Sequence, residues 1–414
     1  MNQEGGTPSA GKDGPFLANF PIEKKTLFGG NIDSVDIQAE HITSAKKVPV
    51  LFVPGMFAGP KAYENPILKL EQTGRRVLSL EQPRHSDNLK DSYNAYIEMV
   101  REGHTDNASS DIIGQRIATI ESRWKRLVEE YTYPRETLRR ALTLLGYLEL
   151  KGVDHADIVG HSEGGIDAVV AAFLNPDKIR NLVLVETGGM IGEDTIRSIA
   201  GRSRKVDTRP RALPVYDETA PDRDQISAER EHDPAKGEQL RTEIAAFAEN
   251  RASISRLEEL RMVNYLASNP RRAYGEVDAL ARSPITRLLH ILREEGHKVA
   301  MIHAAGEIDE TGDEMFPLRR IPGAAIAANE FPPETVKHSH AHTDKFKRDA
   351  EGREIIDEAT GKRILVQGGG SLDGFVSVKG VHNTLIGDPR IMGLADHLLT
   401  QFATLSSPQE QQAA

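Results

Sequence analysis

The sequence predicts an α/β architecture: a mostly parallel sheet with helices on both of its faces. Two observations predict it. Short, predominantly apolar runs of strand length recur at "VPVLFV" (48–53), "VLSL" within 75–83, "ADIV" before residue 160, "NLVLV" (181–185) and "KVAMIHA" (298–304), as expected for strands buried on both faces. Between them lie segments whose apolar residues recur at helical spacing, and strands alternating with helices imply parallel crossovers.

Taken in order, residues 1–15 are rich in Gly, Ser and Pro and read as a disordered tail. "FPIEKKTLF" and "SVDIQAEHI", separated by "GGN", predict a hairpin. The strand at 48–53 runs into "PGMFAGP", whose two glycines allow unusual backbone angles and close approach of another group. A second buried strand follows at 75–83, and residues 84–110 read as irregular. Ile113, Ile117, Ile120, Trp124, Leu127 and Tyr131 then form one apolar helical stripe. Pro134 opens a further helix with Leu138, Ala141, Leu142, Leu145 and Leu148 as its buried face.

Past the strand at 181–186 the alternation breaks. Residues 188–282 are polar and helix-forming, with Pro- and Arg-rich loops, and read as a helical cap inserted over the core. The alternation resumes with the helix "SPITRLLHILREEG" and the strand at 298–306. Residues 331–372 carry Gly-centred turns between extended segments and suggest a small β-meander insertion. "DGFVSVKG" and "DPRIMGLADHLLTQF" supply a last strand and a closing helix. The core is therefore expected over 16–187 and 283–405.

Composition narrows the function classes. A formal net charge of −10 argues against nonspecific nucleic-acid binding. The basic cluster Arg202, Arg204, Lys205, Arg209 and Arg211 reads as a solvated loop of the insertion. The absence of cysteine rules out disulfides, thiolate metal sites and a cysteine nucleophile. The N-terminus lacks the basic start and apolar core of a signal peptide, and no apolar run approaches the ~18 residues of a membrane span. The expectation is a cytoplasmic protein without a membrane span. His338, His340 and His342 alternate as a metal-binding strand could, but no matching ligand set accompanies them, so no metal is expected.

The chemistry-bearing stretch is "ADIVGHSEGGIDAVVAAFL" (156–174). A serine hydroxyl is a weak nucleophile until a base takes its proton. A sharp strand-to-helix turn holds it clear of the backbone, and glycines two residues either side of Ser162, at Gly160 and Gly164, permit such a turn. The helix that follows brings backbone N–H groups and its positive end toward a developing oxyanion. The same turn fails as a dinucleotide motif, because G-x-G-x-x-G would need glycine at Ser162.

With this motif in its strand–turn–helix context, the sequence resembles the α/β-hydrolase superfamily over most of 20–190 and 283–405. The resemblance implies the chain order serine, acid, histidine, with the last two on loops after late strands. It points to Asp309 in "GEIDETGDEMFP", with Glu307 as the alternative acid, and to His382 in "GVHN", where Val381 departs from a common glycine. It implies an oxyanion hole built from the N–H groups of Glu163 and of the loop "VPGMFAG", with Met56 the choice and Phe57 close behind; Pro54 has no N–H to give. The Glu163 side chain is expected in a salt bridge or hydrogen bond with a neighbouring loop.

The implied activity is hydrolysis of a carboxylic ester or related acyl bond through an acyl-enzyme, on a small-molecule acyl substrate and without a cofactor. Thioester, amide and carbon–carbon hydrolysis or acyl transfer use the same triad, and a catalytically silent binding protein is the reading from another class. The oligomeric state is not legible.

Overall fold

The computed structural model describes residues 20–38, 48–56, 58–81, 88–103, 110–190, 195–197, 199, 268, 270–304, 372–378, 386 and 389–405. Its centre is an eight-stranded sheet: β1 (Glu23–Leu27), β2 (Gly30–Ile37), β3 (Val50–Val53), β4 (Val77–Leu80), β5 (Ala156–His161), β6 (Ile179–Val185), β7 (Lys298–Ala304) and β8 (Gly374–Val378). The spatial order is β1-β2-β4-β3-β5-β6-β7-β8. The hairpin β1–β2 and the β2–β4 pair are antiparallel, and every pair from β4 to β8 is parallel.

Alternation along the parallel strands separates two cores, because successive side chains point to opposite faces. Leu51, Val53, Ile158, Leu182, Leu184, Val299 and Met301 face one cluster. Val50, Phe52, Val159, Val183, Val185, Ala300 and Ile302 face the other. The first is covered by α2 (Leu89–Glu102), α3 (Ser110–Lys125), α4 (Arg135–Leu150), α5 (Glu163–Leu174) and α7 (Thr286–Glu294). The second is covered by α1 (Glu64–Gln72) and α8 (Pro389–Leu405). A further helix, α6 (Pro270–Ala281), lies against α4.

Three helical details differ from the sequence reading. Residues 89–102 form α2 where an irregular segment was expected. Its N-terminus is capped by the Asn88 side chain, which accepts from the Lys90 N–H at 3.3 Å. Ser92, Tyr96, Ile97 and Val100 are its buried residues. The stripe expected to run to Tyr131 stays α-helical only to Lys125 and continues as a π-helical turn, Arg126–Glu130. Trp124 stacks on Tyr93 of α2 with ring centroids 4.4 Å apart, which accounts for it as packing. Finally, α4 is buried almost all round, including Thr137, Arg139, Arg140 and Thr143, and not along one stripe alone. Pro134 occupies its N-cap position.

The amino-terminal end of β5 is fixed by charge. Asp157, fully buried, accepts from Arg180 at 2.9 and 2.7 Å, from Arg75 at 3.2 Å and from Asn181 at 3.0 Å. A buried carboxylate needs such saturation. The carboxyl end of the same strand is where the chain turns sharply. Among the described residues no helix is long and apolar enough to cross a membrane.

Candidate active site

Ser162 sits between β5 and α5 with φ 56° and ψ −123°, in a left-handed region that a residue with a Cβ rarely occupies. The turn is pinned from both sides. The Ser162 N–H donates to Val185 O of β6 at 3.0 Å, and the Gly165 N–H donates to Ser162 O at 3.2 Å.

The glycines around it are there because backbone lies where a Cβ would be. At Gly160 a Cβ would fall 2.7 Å from the Gly165 Cα, so strand and helix cross without side chains between them. At Gly164 it would fall 2.3 Å from Pro54 O and 2.4 Å from Val53 O. The N-terminus of α5 therefore rests directly on the loop that leaves β3, which is how two separate chain segments reach one point.

That loop is held by a tyrosine the sequence reading did not single out. The Gly55 N–H donates to the Tyr63 hydroxyl at 3.1 Å, and the same hydroxyl lies 2.8 Å from Nδ1 of the buried His161. Tyr63 packs on Phe52, ring centroids 5.2 Å apart. A Cβ on Gly55 would lie 3.1 Å from the Ser162 Cβ, so the loop passes immediately over the serine. Met56 is the next residue, half-buried against the core. Nothing in the spacing of Gly55, Tyr63 and His161 announces this contact.

Glu163 opens α5 and is buried. Its carboxylate pairs with Arg140, on helix α4 and not on a loop as expected. Burial raises the Glu163 carboxyl above its ordinary value, with Arg140 opposing the shift. On the β6 side of the serine, Glu186 and Thr187 are buried. Glu186 has φ 46°, a second strained residue at the carboxyl end of the sheet. The Thr187 hydroxyl, directly under Gly165, has no hydrogen-bond partner among the described residues.

The structure thus brings Ser162, Glu163 and the Met56 loop together. Asp309, Glu307, His382 and Phe57 lie outside the described residues, as do Arg202 to Arg211, the three alternating histidines, most of 188–282 and all of 331–371. Among the described residues no group of three or more His, Cys, Asp or Glu side chains could hold a metal ion.

A family model described as the alpha/beta hydrolase family matches residues 50–342, more than half of the chain. The chain belongs to that family. No curated protein sequence matches it. Solved structures similar to this member of the family include a hydrolase from Pseudomonas aeruginosa PA01, 14% identical, covering 91% of this chain and 98% of its own, with a TM-score of 0.43. Another is the enol-lactonase from Burkholderia xenovorans LB400, 13% identical, covering 91% and 100%, with a TM-score of 0.42. A third is a mutant meta-cleavage product hydrolase from Pseudomonas fluorescens IP01, 16% identical, covering 69% and 80%, with a TM-score of 0.33. Similarities this distant carry no argument beyond that of the family model. Family membership makes a hydrolase-type activity the activity of this chain.

Proposed function

We propose that this alpha/beta hydrolase is a serine hydrolase that cleaves a carboxylic ester or related acyl bond, with Ser162 as nucleophile. The observation that carries the reading is the strained backbone of Ser162 at the head of α5, hemmed by glycines that leave room for no side chain. Strain of this kind survives only where the surroundings over-determine it.

His382 takes the proton from Ser162 Oγ as Oγ bonds to the acyl carbon. The proton then passes from the imidazolium to the leaving alcohol as the carbon–oxygen bond breaks. The same imidazole then takes a proton from water as the water oxygen bonds to the acyl carbon, and the imidazolium returns that proton to Ser162 Oγ as the acyl–Oγ bond breaks. Asp309, or Glu307 in its place, orients the imidazole and stabilises its charged form. The oxyanion is met by the N–H of Glu163, which as the first residue of α5 has no acceptor within its helix. The second donor comes from the loop over the serine. Its Gly55 N–H is committed to Tyr63, so Met56 is the next peptide able to serve.

The test is labelling of the purified protein with a fluorescent fluorophosphonate beside Ser162→Ala, His382→Ala, Asp309→Asn and Glu307→Gln. Labelling of the wild type, lost in Ser162→Ala and His382→Ala, is expected. The acid is whichever carboxyl substitution lowers the labelling rate, Asp309→Asn being the expected one. A folded wild type that neither labels nor hydrolyses short-chain p-nitrophenyl esters would sink the proposal in favour of a binding protein.

A further inference from the structure

Arg140 lies in the interior of α4 with its guanidinium buried among carboxylates from two other helices. Nη1 contacts Glu163 Oε1 and lies 3.9 Å from Asp167 Oδ2, while Nη2 is 3.2 Å from Glu276 Oε2 of α6. All four side chains are at most 5% exposed. Arg140 Nε is buried without a hydrogen-bond partner among the described residues. The neighbouring charges on α4 are Arg139 and Glu136, paired with each other at 2.6 Å. Two guanidiniums thus face four carboxylates. Burial pushes Asp167 well above the usual carboxylate range and Glu163 upward, Arg140 opposing both.

Such a cluster is a poor device for stability alone, since taking ions out of water is costly and packed apolar side chains commonly serve as well. Its placement suggests another use. Glu163 follows Ser162, and Glu276 belongs to the helix leading out of the 188–282 segment. That segment leaves and returns at one point. The Ile285 N–H donates to Gly189 O at 3.0 Å, and Thr286 Oγ1 donates to Met190 O at 3.3 Å. The returning chain of this stem is tied to α4 by Thr137 Oγ1 and Ser283 Oγ, 2.8 Å apart, and to the residues just before α4 by the Tyr133 hydroxyl donating to Pro284 O.

We propose that Arg140 is a positioning residue of the hydrolytic site: it fixes Glu163 beside Ser162 and fastens to it the helix returning from the inserted segment. The inference rests on Ser162 being the nucleophile. By pairing with Glu163, the guanidinium also offsets a negative charge that would otherwise oppose an oxyanion forming at the adjacent N–H. The fork geometry of arginine matters, because a single ammonium cannot reach along both Nη directions.

The experiment compares wild type, Arg140→Met, Arg140→Lys and Glu276→Gln in the full chain. It measures the fluorophosphonate labelling rate per folded molecule, kcat and KM for p-nitrophenyl butyrate, and thermal melting. For Arg140→Met the labelling rate and kcat should fall ~10²-fold with KM changed by less than ~3-fold, the scale of a misplaced reacting geometry. Arg140→Lys should recover part of that loss, because it restores charge without the fork. Glu276→Gln, which weakens only the link to α6, should change KM more than kcat. A folded Arg140→Met that labels at the wild-type rate overturns the inference and leaves the nucleophile standing. If Arg140→Met does not fold, Arg140→Lys decides: melting and labelling like the wild type overturn the inference, as does a lower melting temperature with an unchanged labelling rate. A folded wild type that neither labels nor turns over the ester removes the nucleophile and this inference together.

Discussion

Substituting Gly164 by alanine is the sharpest probe of how the two halves of the site meet. The added Cβ would lie 2.3 Å from Pro54 O and 2.4 Å from Val53 O, against a floor near 3.0 Å for real Cβ contacts. Neither obstacle is a side chain that can rotate away. Relief therefore requires α5 and the β3 loop to separate by about 0.7 Å, a strain of the overpacking kind that costs about 1–3 kcal/mol. The same separation pulls the Met56 peptide from the head of α5, between which the oxyanion is proposed to sit. Displacements approaching 1 Å at a reacting centre lower rates about 10²-fold, so a loss of roughly 30- to 100-fold in kcat is expected with the protein still folded. Gly114→Ala is the control. A Cβ there meets nothing within 4 Å, and alanine in a helix should stabilise by about 0.5–1 kcal/mol without touching the rate. The assay is p-nitrophenyl ester turnover and fluorophosphonate labelling beside urea melts for all three proteins. A Gly164→Ala protein that turns over within a factor of two of the wild type would refute the claim that this close approach builds the site.

Two further outcomes follow from the same residues. Tyr63→Phe keeps the ring against Phe52 but removes the hydroxyl that serves both Gly55 N–H and His161 Nδ1; urea melts should show a loss of about 1–3 kcal/mol from buried groups left without it, and labelling of Ser162 should slow. No loss in either would show that the loop is held by other contacts. Glu64, buried at the start of α1, has its carboxyl lifted by burial from 4.5 to about 7, Lys61 offsetting part of the shift. The folded state thus binds this proton more tightly than the unfolded chain, so the stabilisation is complete below pH 4.5 and drains away as pH rises through 7. Glu64→Gln should therefore gain up to about 3 kcal/mol on the wild type at pH 8 and nothing at pH 4, and melts of equal midpoint at pH 8 would contradict it.

The parallel sheet was legible because its strands are buried on both faces, leaving short apolar runs such as Val50–Val53, whose strand length and flanking turn residues separate them from buried helices. Ser162 was legible for a related reason. Gly160 and Gly164 must be glycine because backbone occupies the space of their side chains, so the geometry of the turn is written in composition. Residues 89–102 were not, because the charges of "LKDSYNAYIEMVRE" interrupt the apolar spacing and the Asn88 cap is a single polar residue among many. Arg140 and Tyr63 were illegible on different grounds. Helical spacing assigns an arginine to the solvent face, and only the carboxylates of α5 and α6, folded in from residues 163, 167 and 276, allow it inside.

The same contrast separates two kinds of site residue. Those whose role is to permit a backbone path mark the sequence locally, as the glycines around Ser162 do. Those whose role is to hold one path against another carry no local mark, since their partners are distant in the chain: Tyr63 meets His161 across 98 positions, and Thr137 meets Ser283 across 146. A candidate nucleophile can therefore be read from its turn, whereas what keeps that turn in register with the loop above it and with helix α6 becomes visible only in the fold. Substitutions at Tyr63 and Arg140 consequently carry more information about this protein than another substitution at the serine, because they ask whether the assembled surroundings, and not the motif, make the hydroxyl reactive.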